Sequence, residues 1–219
     1  MAQGDPEMME VHAFATPNSV KVPIALEEMG VAYALKRVNI RQGEQKTSAF
    51  LALNPNAKVP VLIDPQGPTG TAVTLTESAA ILVYLAEKTG MLLPAAGIDR
   101  ARVFEQLFFH ASTLGPAFGN AGFFKRLVSE PQPLAEARFA AEAGRVLDLL
   151  EVMLGERRFM AGDDYSIADI AHFGWLWRRE FSGMSFDGRP HLARWFEGIA
   201  ERPAVRRALA RVEALISQA

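Results

Sequence analysis

Apolar positions recur along this chain with two different periods, and the change falls near residue 90. Residues 10–15 alternate, with Val11, Ala13 and Ala15 on one face, which predicts a first strand. Thr16-Pro17-Asn18-Ser19 follows as a helix-start signal, a hydroxyl at the cap and a proline in the first turn. Val22, Leu26 and Met29 then recur at helical spacing up to Gly30, which supplies a left-handed stop. Residues 33–40 predict a second strand, 41–46 a polar loop and 48–53 a short helical turn. Residues 60–63 are short and apolar, as a buried strand is, while 64–70 are turn chemistry and 72–75 form the return strand of a hairpin. Thr76-Glu77-Ser78 then opens a strong helix that stops at Gly90.

The order is strand, helix, strand, then strand, strand, helix. The first half demands a parallel crossover and the second an antiparallel hairpin, so the sheet is mixed and four-stranded with helices on both faces. This α/β order is that of the thioredoxin fold. Beyond Pro94-Ala95-Ala96-Gly97 no strand pattern returns; helical segments are expected at 98–118, 133–155, 166–180, 190–201 and 203–217. The predicted organisation is a flexible tail (1–9), a thioredoxin-like domain (10–90), a linker (91–97) and an all-helical C-terminal domain (98–219). The uncharged run 106–124 is broken by His110, Gly115, Pro116, Gly119, Asn120 and Gly122. A membrane span needs about 20 mostly apolar residues, so this run reads as buried helix plus a bend.

Composition narrows the chemistry. The 219 residues carry 23 Lys+Arg against 25 Asp+Glu, a net charge of -2 that speaks against a phosphate-backbone binder. There is no Cys, which removes disulfides, thiolate metal ligands, a CxxC pair and a protein-borne cysteine nucleophile. If thiol chemistry occurs here, the sulfur arrives on a ligand. The four His show no HExxH or i,i+4 pair, so no metal is expected. Acids stand near the start where a secretory signal carries Lys or Arg, and the expected location is cytoplasmic.

Three junctions carry polar groups suited to a ligand. Thr16 and Asn18 sit where a helix begins and its N–H groups favour an anion, although a simple cap accounts for the same residues. Val59-Pro60 opens a short strand after a polar loop; an X–Pro bond is cis in only about 5–6% of folded cases, so the residues alone leave its geometry open. Glu77 and Ser78 offer a carboxylate, a hydroxyl and helix-start N–H groups, a set that fits an amino acid end and equally fits plain capping.

Taken in order, TPN, NPNAKVPVLID, LTESAAILVYLAEKTG and GDDYSIADI resemble the cytosolic glutathione transferase superfamily over nearly the whole chain. The TPNSVKV opening and the GEQ and NPNAKVP spacing are most similar to its bacterial nu-class subgroup, whose members include glutathione-dependent disulfide-bond reductases. The resemblance implies that Val59, ahead of a cis Pro60, pairs its backbone with the cysteinyl unit of glutathione. Glu77 and Ser78 hold the γ-glutamyl end, and Gln45 with Lys58 reaches the glycyl end. Thr16 and Asn18 face the sulfur as hydrogen-bond donors, with Ser19 as substitute, because no Tyr or Cys precedes the first helix. Arg138, or alternatively Arg145, reaches across a homodimer interface. The implied activity is disulfide reduction with glutathione as cosubstrate, acting on a small disulfide. Classical conjugation to small electrophiles and a non-catalytic ligand-binding module remain open, and a glutathione-dependent isomerase is disfavoured by the TPNSVKV opening.

Other conspicuous residues read as structural. Ser166 and Asp169 form a capping box flanked by Tyr165 and Ile170. His110, His172, Trp175, Trp177 and Trp195 are expected to pack the helical half. Phe104, Phe108, Phe118, Phe123 and Phe124 suit a core, an acceptor pocket or a dimer contact.

Overall fold

Strand β1 (Met9–Ala13) lies at the heart of the sheet in the computed structural model, which describes residues 8–217. It pairs in parallel with β2 (Tyr33–Arg37) and antiparallel with β3 (Val61–Asp64), to which β4 (Val73–Leu75) adds as the return of a hairpin. The strand order is β2-β1-β3-β4, the mixed four-stranded thioredoxin-like sheet. Met9, Val11 and Ala13 are buried while Glu10 and His12 are partly exposed, the period of two written in the sequence. Met9 therefore belongs to the sheet and not to the expected tail, whose residues 1–7 lie outside the described residues.

Helix α1 spans Lys21–Glu28 with Val20 at its cap, four residues later than the Thr16 signal predicts. Pro23 explains the shift. Proline has no N–H to donate and is tolerated only in a helix's first turn, so a start at Thr16 would strand Pro23 in the interior. The helix closes with Gly30 at φ +67°, Val31 N bonding Leu26 O at 2.9 Å and Gly30 N bonding Glu27 O at 3.4 Å. Helix α2 (Ser48–Leu51) is capped by the Thr47 hydroxyl, and α3 (Ser78–Thr89) ends at Gly90 with φ +68°. Tyr84 and Lys88 of α3 both donate to Asp64 of β3, fastening the hairpin to the helix.

The chain divides into two compact units, and the helix expected to end the helical half falls in the first. The first unit comprises residues up to Met91 and again from Arg202 onward; the second is Leu92–Glu201. Helix α9 (Pro203–Ser217) thus belongs with the sheet, not with the helical half. It buries Ala204, Val205, Ala208, Val212 and Leu215, and packs against α1. Glu27 accepts from Arg207 at 2.7 Å and Arg211 at 3.1 Å, and Glu28 accepts two bonds from Arg202.

The second unit is all helix among its regular elements: α4 (Gly97–Phe109), α5 (Gly115–Arg126), α6 (Pro133–Glu156), α7 (Ile167–Trp177) and α8 (Pro190–Ala200). The expected bend is instead a π-helical stretch, His110–Leu114, which joins α4 to α5. The glycines in α5 permit close approach: a Cβ on Gly119 would lie 3.3 Å from Trp175, and one on Gly122 only 2.1 Å from the Phe181 ring. Ser166 caps α7, and Asp169 accepts from Ser166 N, Met160 N and Trp195 Nε1, each at 2.9 Å. Burial pushes the Asp169 carboxyl up to about 6 despite these donors. His110 and His172 are buried with rings 5.5 Å apart, and His172 Nδ1 bonds Ala168 O at 2.8 Å. Of the tryptophans only Trp195 is fully buried, and of the five phenylalanines only Phe118; Phe108 and Phe123 are exposed. Among the described residues no helix is long and apolar enough to cross a membrane.

Two stability predictions follow from these contacts. Burial raises the Glu27 carboxyl, but bonds from Arg207, Arg211 and Tyr33 outweigh it and hold the group below its ordinary value. Its stabilisation is present above the ordinary carboxylate range and is lost as pH falls. Glu27→Gln should therefore lower stability by about 1 kcal/mol at neutral pH, with the difference closing below about pH 4 in thermal melts. Asp169→Asn sets an amide donor against N–H groups in a site closed to water. It should cost ~3 kcal/mol in denaturant unfolding.

Candidate functional site

After β1 the chain makes a tight turn before α1 begins. Thr16 organises it: its hydroxyl accepts from Ser19 N at 3.2 Å and donates to Ser19 Oγ at 2.9 Å, while its carbonyl accepts from Val20 N at 3.2 Å. That hydroxyl proton is thereby committed to Ser19, itself fully buried, and not turned toward a ligand. Asn18 stands at the exposed side of the same turn, and its Oδ1 accepts from Lys21 Nζ at 2.7 Å.

Lys21 is the residue that reading the sequence missed. It is 0% exposed, and its amino group also reaches Ser78 Oγ at 3.3 Å. Burial holds this group well below the ordinary lysine value, and the Glu77 carboxylate pulls it partly back. A signal was available: a lysine set between Val20 and Val22, in a helix whose next four residues are Pro, Ile, Ala and Leu, faces no water.

The loop before β3 supplies the facing wall. Asn54, also missed, closes it by donating from Nδ2 to Lys58 O at 2.7 Å and accepting from Asn56 N at 3.0 Å. The Val59–Pro60 bond is cis. Glu77, immediately before α3, adopts φ +64°, in the left-handed region that a residue with a Cβ enters at a cost of order 1 kcal/mol. Its side chain is exposed, whereas Ser78, the first residue of α3, is buried.

Asn18, Asn54, Lys58, Val59, Pro60, Glu77 and Ser78 line one cleft with an enclosed volume of about 40 Å³. Six of the residues singled out in the sequence thus converge. The enclosed part admits one small charged group, so a larger ligand would extend over the open rim. Thr16 and Gln45 do not line this cleft, and Arg138 lies exposed on α6 of the second unit. Gln45 sits in a single 3-10 turn, Glu44–Lys46, with its Oε1 buried and lacking a partner among the described residues. Arg145, the alternative to Arg138, already holds Glu142 through bonds of 2.7 and 2.9 Å. The described residues include no group of three or more His, Cys, Asp or Glu that could hold a metal ion.

The cleft's chemistry is that of a receptor for a small zwitterion, with a carboxylate for an ammonium and hydroxyl, amide and helix-start N–H groups for anions. The family models for the N-terminal and C-terminal domains of glutathione S-transferase match residues 15–88 and 110–203. This chain belongs to the glutathione S-transferase family. It is 34% identical to the disulfide-bond oxidoreductase YfcG of Escherichia coli over 94% of this chain and 96% of that one. A glutathione transferase family member of Pseudomonas fluorescens, solved with two glutathione bound, superposes with a TM-score of 0.89 at 37% identity over 95% of each chain. A glutathione transferase of Pseudomonas putida, solved with one glutathione disulfide per subunit, gives 0.88 at 36% identity, covering 95% of this chain and 93% of that one.

Proposed function

We propose that this protein binds glutathione in the cleft between the β1–α1 turn and the start of α3, and that its reaction is glutathione-dependent reduction of small disulfides. The observation that carries the reading is the convergence of Asn18, Val59, Glu77 and Ser78 on one cleft in a chain with no cysteine of its own. Glu77 takes the γ-glutamyl ammonium, while the Ser78 hydroxyl and the N–H groups at the start of α3 take its carboxylate. The backbone of Val59, set by Pro60, pairs with the cysteinyl unit. Lys58 and Gln45 serve the glycyl end, Lys58 by its charge. Asn18 donates to the sulfur, and Thr16 shapes the turn that presents it. Arg138 is assigned to the site of a second subunit, because Arg145 is already engaged with Glu142.

A free thiol has a pKa of about 8.5, so an ionised sulfur near neutral pH needs ~2 kcal/mol of stabilisation. One charge-assisted hydrogen bond and oriented N–H groups supply that order of energy. The thiolate attacks one sulfur of a disulfide: a new S–S bond forms, the old one breaks, and the leaving thiolate takes up a proton from water. A second glutathione thiolate then attacks the mixed disulfide, releasing a second thiol and glutathione disulfide. Two tripeptides in the Pseudomonas fluorescens relative and a glutathione disulfide in the Pseudomonas putida one support this course. The working form is a cytoplasmic homodimer. Conjugation to a small electrophile uses the same thiolate and is the second reading, supported by the family itself.

Three measurements test the proposal. Turnover of a small dialkyl disulfide with glutathione, followed through NADPH and glutathione reductase, should exceed turnover of an aryl halide; the reverse order favours conjugation, and binding without either reaction leaves a ligand-binding module. Glu77→Ala should weaken glutathione roughly tenfold or more by calorimetry, the worth of a hydrogen-bonded charge pair. Asn18→Ala should leave folding intact and raise the pKa of the bound thiol by ultraviolet titration, and an unchanged titration removes Asn18 from the sulfur.

A further inference from the structure

Helix α1 is buried from Lys21 through Leu26, and Lys21 is its one polar side chain in that stretch. An apolar residue of the same length would pack there without the penalty of drying an amino group. The lysine is therefore explained by what its amino group does to its neighbours.

An amino group of this kind has donors, and its protonated form has no acceptor at all. Two of the groups it meets, Asn18 Oδ1 at 2.7 Å and Ser78 Oγ at 3.3 Å, are ambivalent. A carboxamide has an accepting end and a donating end, and a hydroxyl either accepts or donates. Contact with Lys21 removes the ambiguity. It takes the oxygen of Asn18, so the Nδ2 donors are the end left for the cleft that Asn18 lines. It occupies a lone pair of Ser78 Oγ, so that hydroxyl's proton turns away from Nζ. Both side chains are left as donors, the polarity that a thiolate and a carboxylate require, since each of those accepts only.

The geometry points to Lys21 as a positioning residue that fixes Asn18 and Ser78 as donors, and so couples the sulfur end of the cleft to its amino acid end. The inference rests on the glutathione reading above and extends it. Lys21 touches no reacting atom in this account; it acts through Asn18 and Ser78. The Glu77 carboxylate, next in sequence to Ser78, pulls the lysine toward its charged form. Occupation of Glu77 by a ligand ammonium is therefore felt at Lys21, and through it at Asn18.

The test is a double-mutant cycle on the bound thiol. Lys21→Met fills the same space without a donor, leaving the Asn18 amide able to turn its oxygen to the sulfur. The ionised fraction of bound glutathione at neutral pH should fall about tenfold, read by ultraviolet titration, with a matching fall in kcat. Because Lys21 acts through Asn18, Lys21→Met combined with Asn18→Ala should do no more to the titration than Asn18→Ala alone. A merely structural lysine would lower the melting temperature or weaken binding while the thiol titrated as in the unaltered protein. That result, or additive effects in the double variant, overturns the proposal. A measurement on the unaltered protein stands beside it in case Lys21→Met does not fold. The side-chain amide protons of Asn18, followed by nuclear magnetic resonance with glutathione bound, should shift along the thiol's titration curve, and their indifference to pH would equally overturn it. If the unaltered protein does not bind glutathione, the glutathione reading falls and takes this role with it; if it binds and Lys21→Met titrates normally, only the role of Lys21 falls.

Discussion

A lysine amino group taken out of water must be met by acceptors, and meeting that demand joins two parts of the first unit that are far apart in sequence. Lys21 reaches back to Asn18 in the turn after β1 and across to Ser78 at the start of α3, 57 residues away. Because α1 is buried on all sides at this point, the amino group has no alternative in solvent. The turn after β1 and the start of α3 are bridged by one desolvated group. The cleft is the space that this bridge leaves open.

The protein's lack of cysteine gives that arrangement its sense. Thioredoxin-like folds place a helix start and a proline-headed strand around a sulfur, and here both features stand without one. What remains is a frame of donors, with one carboxylate at its edge. The cleft between these elements is shallow, with an enclosed volume of about 40 Å³.

Features encoded within a few residues were legible in the sequence. Gly30 and Gly90 were readable as helix stops because a left-handed residue is a local requirement. The Ser166–Asp169 box was readable because its bonds close within one turn, and the period of two in β1 needed no partner to be seen. Asn18, Val59, Glu77 and Ser78 could be named because each sits at a junction of elements. What escaped was decided by partners distant in sequence. Lys21 has its partner Ser78 57 residues away, and Pro23 sets the start of α1 against the Thr16-Pro17 signal. The glycines of α5 read as a bend because nothing nearby announces that Trp175 and Phe181 press against them. Helix α9 read as one more member of the helical half because amphipathic periodicity describes a face without naming what covers it.

The placement of α9 has a consequence for how this molecule comes into being. The first unit is interrupted by the second and resumes at Arg202, where α9 completes it. A nascent polypeptide that has emerged as far as Met91 holds every strand of the sheet, yet the side of α1 carrying Glu27 and Glu28 still lacks its arginine-bearing cover. The first unit is therefore complete only once α9 has also emerged. A premature stop anywhere between residues 91 and 203 costs the sheet helix α9, however much of the helical insert has been made.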